Sequence, residues 1–171
     1  GPQRTGETGA KRTPAEQRVT AGETAHPLKD RIVDKLDAIA PARVTWRQLA
    51  SLLGYKESGG YFRAGKRDAI ASGLLHEEGE FVRSVRPRER GLSRWNAIEL
   101  WRDVLEEPAP RIVDALHAFG PMTKTRLAGE LAYSETGGFF RRGMAQLRQN
   151  GLLTEAGEFV GLISPLPGEQ P

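Results

Sequence analysis

The stretch ESGGYFRAGKRDAIASGLL, residues 57–75, returns as ETGGFFRRGMAQLRQNGLL at residues 135–153, an offset of 78. Each copy sets a hydroxyl residue before a glycine pair, follows it with two aromatic residues and an arginine, and stops at Gly-Leu-Leu. A glycine just past the last apolar position is a helix stop. Both stretches therefore predict a helix, capped at its start by Ser58 or Thr136. Phe62, Gly65, Ala69 and Ile70 are expected to face the core in the first copy, and Phe140, Met144 (or Gly143) and Leu147 in the second. Tyr61 and Phe139, one position round the helix, are expected to make core contact rather than stay exposed. The glycine pairs, Gly59-Gly60 and Gly137-Gly138, let the backbone approach something closely, either the preceding helix or a phosphate at the positive helix end.

The repeat extends in both directions. Downstream, LLHEEGEFVRSV reads as a strand, a tight turn around Gly79 and a second strand. Upstream, Thr45 and Gln48 form a capping-box pattern ahead of Leu49, Leu52 and Leu53, a short helix that Gly54 ends. Before it, Leu28, Ile32, Leu36 and Ile39 make one apolar helical face, closed by Pro41. From Thr45 against Thr123 through Val82 against Val160, 19 of 38 aligned positions are identical, and RIVD at 31–34 recurs at 111–114. A duplicated domain explains this, with the change of offset from 80 to 78 falling in a loop. The chain is expected to divide into a disordered tail or linker (1–27), a first domain (28–86), a helical connector (87–109), a second domain (110–164) and a flexible tail (165–171). In the connector Ser93 caps a helix whose Trp95, Ile98, Trp101 and Leu105 are expected to be buried and to fix the orientation of the copies.

A length of 171 residues with 38% hydrophobic content supports two small domains. There is no cysteine, which excludes disulfides, thiolate catalysis and cysteine zinc sites. No run approaches the roughly 18 apolar residues of a membrane span, so no membrane partner is expected and the location is expected to be cytoplasmic. Gly1-Pro2 reads as the remnant of a cleaved tag, which fits either a fragment or a whole protein that carried a tag. His26, His76 and His117 have no ligand spacing and no phosphate-binding glycine loop is present. Neither enzyme activity nor a cofactor is expected. The net charge of +3 and a pI near 9.4 permit nucleic-acid binding without requiring it.

Helix, capped helix, turn, Gly-Gly-aromatic helix and hairpin, present twice, resemble the winged helix-turn-helix superfamily across about residues 28–163. The glycine-aromatic helix ending in Gly-Leu-Leu resembles small modules appended to DNA-translocating ATPases and mobile-element proteins. The resemblance implies a mainly α fold with small β-hairpin wings: two tandem winged-helix domains joined by a helical connector. It also implies double-stranded DNA as partner, with the third helix of each unit in the major groove, and a nucleoid-associated location. On that reading the DNA-binding residues are Ser58, Gly59, Gly60, Arg63, Lys66 and Arg67 in the first unit, and Thr136, Gly137, Gly138, Arg141, Arg142 and Arg148 in the second. Arg83, Arg86, Arg88 and Arg90, beyond the first wing, would add backbone contacts. Glu77, Glu78, Glu80, Glu155 and Glu158 make the wing tips acidic, so the wings are expected to point away from bound DNA. The alternative is a protein-interaction adaptor, a partner of a chromosome-organising or DNA-translocating ATPase or of the rest of a larger chain, with homodimerisation also open.

Overall fold

A computed structural model describes residues 25–86 and 91–170. The chain is mainly helical among these residues, with two small three-stranded antiparallel sheets in two similar halves. The first half runs α1 (Pro27–Ile39), β1 (Val44–Thr45), α2 (Trp46–Leu53), α3 (Gly60–Ala71), β2 (Leu75–Glu78) and β3 (Phe81–Ser84). After α4 (Arg94–Arg102), the same order returns as α5 (Ala109–Phe119), β4 (Met122–Thr123), α6 (Lys124–Glu130), α7 (Gly138–Gln149), β5 (Leu153–Ala156) and β6 (Phe159–Leu162). Two repeated units, each of helices followed by a hairpin, are consistent with tandem winged-helix-like modules.

The periodic positions form the cores. Leu28, Ile32, Leu36 and Ile39 of α1 close over Leu49, Leu53, Phe62 and Ala69. Ile112, Val113 and Leu116 of α5 do the same over Leu127, Phe140, Met144 and Leu147. The capping box is formed: the Thr45 hydroxyl accepts the Gln48 amide, and the Gln48 carboxamide oxygen accepts the Thr45 amide at 2.8 Å. Hairpin strand β3 lies between β2 and β1, pairing Val82 with Glu77 and with Val44; the second sheet repeats this as β4-β6-β5.

Several expectations are corrected. Helix α3 starts from Gly59 and α7 from Gly137, with no side-chain cap, so neither Ser58 nor Thr136 is the N-cap. The glycine pairs do not press on the preceding helix either. A Cβ on Gly60 or Gly138 would meet nothing within 4 Å, while Gly59 and Gly137 are tight only against Lys56 and Ser134 of their own turns. Close helix contact belongs instead to Gly65, where a Cβ would stand 2.8 Å from Leu28, and to Gly143, 2.8 Å from Pro108. Ile70 stays exposed because it follows Ala69 round the helix, away from α1. Tyr61 (50%) and Phe139 (43%) remain exposed. They lie on the preceding turns rather than under the hairpins, Tyr61 stacked on Tyr55 and Phe139 edge-on to Tyr133, both at 5.4 Å.

The ends of the units also differ from expectation. Residues 25–27 belong to the first unit: Pro27 opens α1 and His26 caps it, its Nδ1 accepting the Leu28 amide. The segment at 165–171, expected to be a flexible tail, is packed through residue 170. Leu166 is buried in the second core, the Pro167 carbonyl accepts the Trp101 indole N–H at 2.8 Å, and Glu169 pairs with Arg94 at 3.1 Å. Trp101, Ile98 and Leu105 are buried as expected, but Trp95 is half exposed, its ring 5.9 Å from His117. The connector therefore belongs to the second core, and its Leu100 touches both cores.

Candidate nucleic-acid interface

The residues singled out for DNA fall into two sets. Arg63 and Arg67 on α3, and Arg141 and Arg142 on α7, are exposed and make no side-chain hydrogen bond or ion pair among the described residues. The Arg142 guanidinium lies 5.9 Å from the Phe139 ring centre. Lys66 sits over the Trp46 ring at 4.5 Å, and the Trp46 indole N–H donates to Glu77 at 2.8 Å.

The other arginines are already engaged. Arg83 donates to Glu78 at 2.9 Å, and Arg86 to the buried Asp37 at 2.9 Å. Arg148 holds Glu155 with two bonds, Nε at 3.0 Å and Nη2 at 2.8 Å, and Lys124 approaches the same carboxylate at 3.6 Å. Hydrogen bonding from Arg148 holds the Glu155 carboxyl below its ordinary pKa, and the bond from Arg83 does the same for Glu78. Arg88 and Arg90 lie outside the described residues.

A cleft of about 620 Å³ runs along α7, bordered by Lys124, Thr136, Gly138, Arg141, Arg142 and Arg148. Arg148 also borders a groove of about 600 Å³ between the units, where Lys66 and Arg47 of the first unit face Gln149 and Asn150 of the second. A third hollow, of about 420 Å³, continues past Arg47, Ser58 and Lys56. The structure thus brings Lys66 of the first unit to the groove that Arg148 of the second also borders, sets Ser58 beside Gln149 and Asn150, and leaves Arg83 and Arg86 off these three hollows.

The hairpin acids are less of a tip than their spacing implied. Glu77, Glu78 and Glu155 lie in strands, leaving only Gly79-Glu80 and Gly157-Glu158 in the turns. Glu77, Gly79 and Glu80 of the first hairpin line the inter-unit groove.

One residue was missed by the reading of the sequence. Arg47, on the first turn of α2, is exposed and without a hydrogen-bonding or ionic partner among the described residues. Its equivalent is Thr125, so a search for features shared by both copies passes over it. The sequence matches no known family model and no curated protein.

Proposed function

We propose that the protein binds double-stranded DNA through the outward faces of α3 and α7, the two units acting as one reader of the winged-helix kind. One observation carries this reading. Fourteen arginines lie among the described residues, and nine are held by hydrogen bonds or ion pairs within the protein. The remaining five, Arg47, Arg63, Arg67, Arg141 and Arg142, all lie on α2, α3 and α7. Unspent guanidinium groups concentrated on these helices suit phosphate oxygens and guanine edges, which the planar fork pairs with two bonds at a time. Two such helices on one frame raise affinity through effective concentration.

Fluorescence anisotropy of mixed-sequence duplex at two salt concentrations tests the reading. Salt-sensitive binding is expected for the intact chain, with strong weakening in a folded Arg63→Ala, Arg141→Ala, Arg142→Ala variant. Binding untouched by the three substitutions overturns it.

The second reading, a protein-contact adaptor, is favoured by one observation: Phe119 (62% exposed) and Trp95 (50%) lie uncovered on α5 and α4. It predicts association that survives high salt and is weakened by Trp95→Ala or Phe119→Ala.

A further inference from the structure

The two units are not joined symmetrically. Leu52 of α2 is buried within the second core, and the Gln48 carboxamide, whose oxygen caps α2, donates through Nε2 to the Asn150 carbonyl at the end of α7 at 2.9 Å. The amino end of α2 therefore abuts the carboxyl end of α7, and the inter-unit groove opens beside this junction.

The cations of that groove stand where the copies have diverged. Arg47 corresponds to Thr125, Lys66 to Met144 and Arg148 to Ile70. Neither unit alone carries this set, because two members come from the first and one from the second. The groove's acids are the opposite case: Glu57, Glu77 and Glu80 recur as Glu135, Glu155 and Glu158, so they belong to the repeat itself. Glu77 is occupied by the Trp46 indole.

We infer that the inter-unit groove is a composite phosphate-binding site that carries one strand of a DNA duplex from α7 across to α2, with Arg47 and Lys66 gripping the backbone and Arg148, whose Nε and Nη2 are held by Glu155, adding only its Nη1. The inference rests on the DNA reading above and extends it. The two units then cover one continuous stretch of DNA rather than two half-sites a helical turn apart. Phosphates fit only where they fall over the three cations, since any other register brings them against Glu57, Glu77 and Glu80. The carboxylates thereby fix the register of the strand, and they also weaken binding.

Duplex titrations of the full chain over a salt series, with hydroxyl-radical footprinting, test this. Arg47→Ala with Lys66→Ala is expected to weaken binding at least tenfold and to flatten the plot of log K against log salt by about 1 to 2, at about 0.9 for each phosphate no longer neutralised. Glu80→Gln, which removes a surface charge at no cost to the fold, is expected to tighten binding. The footprint should be one unbroken stretch. Weakening by Arg141→Ala and Arg142→Ala but not by Arg47→Ala and Lys66→Ala, or two protected patches about a turn apart, overturns the composite groove and leaves the DNA reading standing. Absence of duplex binding by the intact chain at low salt overturns both.

Discussion

At the scale of single residues, Arg148 shows how a correctly placed side chain is spoken for by its neighbours. It lies on the outer face of α7, as helical spacing requires, but Glu155 of the adjoining strand takes its Nε–Nη2 edge. Glu155→Gln is expected to free the guanidinium and remove one negative charge, tightening duplex binding several-fold in the same titration. Breaking a partly exposed ion pair costs stability only about 0–1 kcal/mol. Because the folded-state pKa of Glu155 is lowered, the pair stabilises the fold above the ordinary carboxylate value and is lost as pH falls through the lowered one. Acid titration of the Glu155 carboxyl by NMR should thus find its midpoint below that of an unpaired glutamate. Arg148 was legible as outward-facing, whereas its partner was not, since pairing across a helix and a strand depends on where the hairpin docks. Tyr61 and Phe139 failed for a related reason. Their apolar character pointed inward, but each sits at the start of its helix, where the preceding turn offers another aromatic ring to lie against.

At the scale of elements, the long periodic signals were readable, and so was the α2 cap. Strands β1 and β4 were not, because two residues carry no alternation; they exist only through pairing with β3 and β6. The caps of α3 and α7 were misplaced by one residue, since Lys56 and Ser134 close a turn onto the amides of Gly59 and Gly137 and carry the helix start past the hydroxyl residue. The copies also differ after the second helix. Gly54 ends α2 at φ +84, while its counterpart Ala132 holds φ +59, a left-handed conformation that costs an L-residue about 1–2 kcal/mol. Ala132→Gly should relieve that strain, less the extra entropy glycine loses on folding, and stabilise the protein by about 0.5–1 kcal/mol. Urea unfolding measures it; an unchanged or lower midpoint would mean that the turn tolerates alanine without strain.

At the scale of the whole molecule, the duplication was evident in the sequence, but the way the copies meet was not, because the joint is built where they differ. Leu52, Gln48 and Asn150 have Glu130, Arg126 and Ser72 as counterparts. The C-terminal segment reinforces the joint. Gln170 bonds Leu92 through its amide and Gly91 through its side chain, and a Cβ on Gly168 would reach Leu100 at 3.2 Å and Ile39 of the first unit at 3.7 Å. Removing residues 166–171 takes Leu166 from the second core and the Pro167 carbonyl from Trp101. It is expected to cost about 2–4 kcal/mol in denaturant unfolding, with Trp101 emission shifting to the red; equal stability would show the segment to be ornamental.

The burial of Leu52 has one more consequence. The first unit's α2 face docks on a surface of the second that is unlike itself, and head-to-tail joints of that kind propagate into filaments when nothing closes them. On the second unit the docking position is Glu130, exposed and 3.9 Å from Arg126. Adding a third module, or another molecule, in the same geometry would press that carboxylate against a hydrophobic core and take it out of water. The divergence of Leu52 to Glu130 at the open face thus disfavours a repeat of the same joint.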